Sequence, residues 1–368
     1  MIQDSFLKSF RETKSPFIMN PYRFAAAGGG GVGGWTELAR TTLGSAADTI
    51  TVSSLPDKRY YTVLTNIIGS GSTWCDARLN SDTGSNYALR KSLNGASDTT
   101  GINQSSFLIP PNTFTSSYFM TAYISNLASK EKLGIENCVD GSTAGAGTAP
   151  ERYEGVAKWT NTADSISSFS RRNDYTGSFD TGSEIVVLGW DPDDTHTTNF
   201  WEELVDTSWS SGSSVETSAF ATKKYLWYQG WFKTGGSMSG SYSALQVGSG
   251  GSIDTGSNYA ERYSINGAGD ATEINKSNFY GLVGQGNDGS GNELTYINGF
   301  IINNSANEKL LISDAAGFVT AGAGTAPNRT QGTGKWVNTS NQINKMKILS
   351  AAGSGDWVGG QLKVWGSD

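Results

Sequence analysis

A chain of 368 residues with 36% hydrophobic and 11% aromatic content can bury two ordinary cores, which excludes a disordered chain. A net charge of −7 argues against a chain-wide nucleic-acid footprint, which needs a basic face, so no nucleic-acid partner is expected. No stretch approaches the roughly 20 apolar residues of a membrane span, and residues 1–10 lack the apolar run of a signal peptide, so a soluble protein with no membrane span is expected.

Residues 1–34 read as an extended arm. It carries Phe6, Phe10, Phe17, Tyr22 and Phe24 and is basic, with Lys8, Arg11, Lys14 and Arg23 against Asp4 and Glu12. It ends in the glycine-rich run 28–34, which lacks the Gly-Lys-Ser/Thr ending of a phosphate loop and reads as a flexible tether. Five aromatics with no strand pattern cannot bury themselves, so they are interface candidates for a protein partner. Strands follow at about 36–42, 49–52, 60–68, 74–79, 87–92, 118–124, 132–137, 166–170 and 184–188. These segments are short, rich in aromatic and β-branched residues, and bounded by Gly, Asn and Asp. Residues 35–191 make one sandwich, 192–199 a polar linker, and 200–368 a second sandwich. No stretch holds a helical period over three turns.

The second sandwich is a copy of the first. The heptapeptide Asp82 to Ala88 returns unchanged as Asp254 to Ala260, and Ala144 to Pro150 returns unchanged as Ala321 to Pro327. The offset grows from 166 at Trp35 and Trp201, through 172 at Asp82 and Asp254, to 177 at Ala144 and Ala321. The second copy has therefore gained residues twice, near 235–251 and near 284–292, both Gly/Ser-rich and so both lengthened surface loops. The expected fold is all-β: two tandem antiparallel β-sandwich domains, jelly-roll-like, from internal duplication, preceded by an extended N-terminal arm.

Candidate chemistry is sparse. Asp-Thr-Gly-Ser occurs at Asp82, Asp180 and Asp254, and pepsin-like proteases place one Asp-Thr-Gly on each of two lobes. The polar lead-in to Asp82 and Asp254 argues for a structural turn instead. Its Asp caps backbone amides and its Tyr packs the next strand, which singles out Asp82, Asn86, Tyr87, Asp254, Asn258 and Tyr259. His196, the only histidine, sits in the linker, which removes histidine-based zinc clusters and makes a Ser–His relay improbable. Asp191, Asp193 and Asp194 offer oxygen ligands for Ca²⁺, against the simpler reading of a solvated linker. Cys75 and Cys138 have no counterparts in the second copy, so no disulfide framework is expected. The expectation is no catalytic residue, no metal and no cofactor. Trp35, Trp159, Trp201 and Trp336 recur in both copies and read as core anchors. The unpaired Trp74, Trp190, Trp209, Trp227, Trp231, Trp357 and Trp365 are the better interface candidates.

The run from Gly34 to Val52, then Leu55-Pro56 and the stretch from Asn80 to Ala88, resembles virion structural proteins of marine tailed phages, of the capsid decoration, head-fibre or appendage type. That resemblance covers the repeat unit and not the arm. It implies a non-enzymatic viral structural protein, located in the virion on the capsid surface or an appendage. Attachment to other virion proteins would run through residues 1–34, and the assembly would be a homo-oligomer, with a trimer favoured by analogy. Two alternatives stand beside it: a double-jelly-roll major capsid protein, and a carbohydrate-binding adhesin module that takes a host-surface glycan.

Overall fold

The computed structural model describes residues 34–107, 114–192, 194, 199–235, 243–283, 294–318, 322–350 and 357–368. The arm residues Phe6, Phe10, Phe17, Tyr22 and Phe24, together with Asp193 and His196, lie outside the described residues. Every element among the described residues is a β-strand.

The first sandwich contains β1 (Thr36–Thr42), β2 (Thr49–Ser53), β3 (Tyr60–Ser70), β4 (Asp76–Leu79), β5 (Tyr87–Leu93), β6 (Thr99–Gln104), β7 (Ser117–Ser125), β8 (Lys132–Asp140), β9 (Glu151–Trp159), β10 (Ser168–Arg172), β11 (Ser178–Phe179) and β12 (Glu184–Trp190). The second contains β13 (Glu202–Trp209), β14 (Ser214–Glu216), β15 (Tyr225–Thr234), β16 (Ser243–Ser249), β17 (Ser252–Ile253), β18 (Tyr259–Ile265), β19 (Ala271–Lys276), β20 (Leu294–Ile302), β21 (Lys309–Phe318), β22 (Asn328–Trp336), β23 (Lys345–Ser350) and β24 (Trp357–Ser367).

The large sheet of the first copy runs β1-β12-β3-β7-β8-β9-β5-β6, with β11 paired to β3. That of the second runs β13-β24-β15-β20-β21-β22-β18-β19. Each strand occupies the same place in both orders, so the duplication is one of topology as well as sequence. The small sheets are β2-β10-β4 and β14-β23-β16-β17. The strands are thus divided unevenly between the two sheets of each sandwich. All the pairings are antiparallel.

Side-chain alternation builds each core. In β2, Ile50 and Val52 point inward between exposed threonines and serine. They meet Tyr61, Val63 and Ile67 of β3 and Ile185 and Val187 of β12. The second core repeats the plan with Leu226, Tyr228 and Phe232 of β15 and Leu362 and Val364 of β24. Trp159 and Trp336 are each 1% exposed within their own cores. The hairpins joining β5 to β6 and β18 to β19 turn on Asn94-Gly95 and Asn266-Gly267, all four at φ between 52 and 75°. Such paired positive φ values need glycine or asparagine, and they match strand twist in a two-residue turn.

Strands β3, β12 and β15 are buried on both faces. Their other face forms a third cluster that belongs to neither sandwich alone. Leu64, Phe119, Val139, Val186 and Leu188 of the first large sheet meet Tyr225, Trp227, Phe300, Ile302, Leu310, Ile312 and Trp365 of the second. Phe200 and Trp201, just past the linker, are buried in the same cluster, and Trp35 packs against it. The recurring Trp35 and Trp201 therefore seal the junction between copies rather than the interior of either sandwich.

Candidate functional site

The repeated Asp-Thr-Gly turns are hydrogen-bonded locks. Asp82 Oδ1 accepts from Gly84 N at 2.8 Å, and Oδ2 accepts from Asn86 Nδ2 at 2.9 Å and from Trp159 Nε1 at 2.7 Å. Asp254 does the same with Gly256 N at 2.8 Å, Asn258 Nδ2 at 2.8 Å and Trp336 Nε1 at 2.7 Å. Tyr87 donates its hydroxyl hydrogen toward the Leu79 and Asp82 carbonyls, while Tyr259 donates toward those of Val247 and Asp254. Partial burial pushes the Asp82 carboxyl up, but the bonds from Trp159, Asn86 and Gly84 outweigh it and hold it below the ordinary carboxylate value. Each carboxylate thus spends its lone pairs inside its own turn. An aspartic protease instead needs two carboxylates that share a proton.

Because the lock joins a loop to a buried indole, its removal has a predictable cost. Asp82→Ala and Asp254→Ala are each expected to lower stability by about 1.5 kcal/mol, the worth of a charge-assisted hydrogen bond near water. Asp180 caps only the adjacent Thr181 N, at 2.8 Å. Asp180→Ala is therefore expected to cost under about 0.5 kcal/mol. Denaturant unfolding of the three variants checks this ranking.

The acidic linker already has a cation. Lys58 Nζ lies 2.5 Å from Asp194 and 3.8 Å from Asp191, and Asp191 Oδ1 also accepts from Arg59 N at 2.8 Å. Among the described residues no group of three His, Cys, Asp or Glu is placed to hold a metal ion. Cys75 and Cys138 are buried thiols, and burial pushes Cys75 up to about 12. Burial also lifts Asp140 to about 7 and Glu261 to about 8. Both bind backbone amides: Asp140 accepts from Ser142 N at 2.6 Å, and Glu261 accepts from Tyr280 N at 2.7 Å and Gly281 N at 2.9 Å.

What the molecule does assemble is the junction, and its polar edge is built from the first copy's loop 141–150. Gly145 N donates to Glu308 at 2.6 Å, Asn275 N donates to the Ala146 carbonyl at 2.9 Å, and Arg262 Nε donates to the Pro150 carbonyl at 2.9 Å. Lys335 Nζ donates to the carbonyls of Gly141 at 2.9 Å and Thr143 at 2.5 Å. Arg152 clasps Asp270 with two bonds, at 2.6 and 3.1 Å, and the two side chains are 5% and 1% exposed. At the other end of the sheets, Glu184 accepts from Tyr225 Oη at 2.8 Å and pairs with Lys224 at 3.0 Å. Burial raises the Glu184 carboxyl, but the bonds from Thr42, Lys224 and Tyr225 outweigh it and hold it below its ordinary value. The sheets also leave an open cleft of about 790 Å³. It is lined by Tyr123 of the first copy and by Trp227, Tyr296, Asn298, Phe300, Asp314 and Arg329 of the second.

The chain matches no family model, and no curated protein matches it in sequence. Among solved structures, it is similar at 8% identity to OpdL of Pseudomonas aeruginosa, over 84% of this chain and 98% of that one, with a TM-score of 0.13. It is similar at 10% identity to the outer membrane protein OprD of the same species, over 90% and 95%, with a TM-score of 0.13. The translocator domain of the autotransporter NalP from Neisseria meningitidis gives 10% identity over 75% and 88%, with a TM-score of 0.11. Likenesses that weak carry no argument about fold or function.

The junction was not singled out as a site by sequence. Of the unpaired tryptophans, Trp227 and Trp365 are buried in it. Trp357 is buried in the second core, with Trp209 packed against that core. Trp190 stacks on Tyr60 with 5.5 Å between ring centroids, and Trp231 is exposed. The usable signal was the doubly apolar run of β12, Ile185 to Leu188, which a half-buried strand does not need.

Proposed function

We propose that this chain is a non-enzymatic structural protein of a virus particle, a capsid-surface or appendage subunit attached through residues 1–34. The observation that carries the proposal is the junction: two copies of one sandwich fused through buried apolar sheet faces and the enclosed Arg152–Asp270 pair. A body of that kind suits a building unit. Two of its perturbed carboxyls, Asp140 and Glu261, cap backbone amides. The resemblance of the repeat unit to tailed-phage virion proteins supports the same reading, with a homo-oligomer as the assembled form, a trimer by analogy. A double-jelly-roll major capsid protein is separated from this by copy number per particle.

The test is a mass-calibrated gel of purified particles made with the full chain and with a chain lacking residues 1–27. The full chain is expected at fixed stoichiometry. The shortened chain is expected to fold with both sandwiches intact and to be lost from particles. Normal occupancy of the shortened chain would overturn the arm's role. Acid-dependent peptidase activity abolished by Asp82→Asn or Asp254→Asn would overturn the non-enzymatic reading. The adhesin alternative draws on the open cleft, where Tyr296 is exposed beside Gln229 and Asn298. Saturable glycan binding by the isolated protein, lost in Tyr296→Ala, would favour it instead.

A further inference from the structure

The two copies use their equivalent surfaces unequally. In the second copy, the outer face around β20 and β21 is covered by the first, so Leu310 and Ile312 are 0% and 5% exposed. Their register equivalents in the first copy are Leu133 and Ile135, each 56% exposed. Beside them lie Tyr60 and Val156, also exposed, where the second copy has the buried Tyr225 and Thr333. The same inequality holds for the loop. Residues 141–150 of the first copy dock on the second, whereas residues 322–327, whose sequence is unchanged, are all exposed. A Cβ added at Gly322 or Gly324 would meet nothing within 4 Å.

The free face keeps the residues that the loop needs. In the second copy the loop's hydrogen-bonding partners are Glu308, Lys335, Arg262 and Asn275. The positions equivalent to them are Glu131, Lys158, Arg90 and Asn103, the same residue types in every case. Asn103 and Asn275 even share the left-handed backbone, at φ 53 and 52°. Glu131 and Lys158 pair at 3.1 Å on the surface, both about two-fifths exposed, where Glu308 and Lys335 are enclosed. The sheet part of the docking surface is more polar in the second copy, with Gln229 and Tyr296 at the places of Leu64 and Phe119. Loop and receptor residues were retained together while that part diverged.

We propose that the exposed face of the first sandwich, centred on Leu133 and Ile135, receives the 322–327 loop of a second copy of this chain, repeating between chains the contact already made within one. The inference deepens the assembly reading above and rests on it. The occupant follows from the chain's own geometry, since the duplicate of this face is covered by that loop's equivalent together with the neighbouring sheet residues Phe119 and Val139. The two halves of the contact are different surfaces, and each chain carries one free half of each kind. Association therefore continues from chain to chain until it closes in a ring or runs on as a filament.

A contact of this kind has a complementation signature, readable by sedimentation of the full chain. Ile135→Glu blocks the face, and Ala323→Trp blocks the loop, because its equivalent Ala146 is buried at the junction. Wild-type chain is expected to associate in a concentration-dependent way. Each variant alone is expected to sediment as a single chain, with association weakened at least tenfold. An equimolar mixture of the two variants should form a dimer and nothing larger, since one good loop then meets one good face. Val358→Glu, an exposed substitution elsewhere, should associate as wild type. If both variants assemble like wild type, another surface is used: the interface proposal fails and the assembly reading stands. A wild-type chain that is a single chain at every concentration overturns the proposal, and its absence from purified particles would overturn the assembly reading as well. Association that appears only after residues 1–27 are removed would assign the face to the arm instead.

Discussion

Replacing Arg152 with alanine is expected to cost about 3–5 kcal/mol, the range for removing one partner of a buried ion pair. Asp270 would be left at 1% exposure with its two guanidinium bonds gone. Burial alone would lower the Arg152 pKa, but the bonds and charges of Asp270 and Glu154 outweigh it and hold it above its ordinary value, so the guanidinium stays charged. The junction should suffer before either core does, because Arg152 lies on β9 of one sandwich and Asp270 at the edge of β19 in the other. Calorimetry is expected to show one cooperative transition for the wild type and two separated transitions for Arg152→Ala. The internal control is Arg329, the second-copy equivalent, which is exposed. Arg329→Ala should cost under about 0.5 kcal/mol. Equal costs at the two positions would refute the account.

The second large effect lies within the first core. Arg171 is fully buried and sits over the rings of Phe169 and Tyr118, at 5.5 and 6.0 Å. Its nearest carboxylate is Glu136, at 3.9 Å. Burial pushes the Glu136 carboxyl up, with Arg171 and Lys91 offsetting part of the rise. The second copy solves the same packing problem with Ile348 and Ser313 at the equivalent places. Glu136→Ser or Arg171→Ile alone is expected to cost about 3–5 kcal/mol, since each strands a buried charge. The double substitution is expected to recover most of that loss, because the fold already accommodates that pair in its other copy. A double-mutant cycle by denaturant unfolding reads the coupling. Additive losses would mean that the two charges do not compensate each other.

Much of the architecture is local and was open to reading. The alternation of Thr49 to Ser53 fixes β2, and aromatic-rich runs such as Tyr118 to Ile124 fix the central strands. Strands β6 and β9 escaped, as did the two-residue β11. β6 is an exposed edge strand, with no apolar alternation to betray it. β9 carries Glu151, Arg152, Glu154 and Lys158, so it reads as a polar loop. One of those charges is Arg152, held in the junction by a partner 118 residues away. The charge that hid the strand is the charge that joins the sandwiches.

The sequence by itself determined that one sandwich occurs twice, and that each copy carries an Asp-capped turn. Both follow from residues that act within one repeat: Asp82 caps Gly84, and Asp254 caps Gly256. It could not determine which copy of a repeated residue would be buried. Leu133 and Leu310, Lys158 and Lys335, and Arg152 and Arg329 are the same residues at equivalent strand positions, with opposite exposures. Matching positions carry nearly matching local information, so nothing within a repeat says which face will be covered. That was decided when the two sheet faces closed on one side only. Burial is a property of the pair of surfaces brought together, and not of the residue that takes part in it.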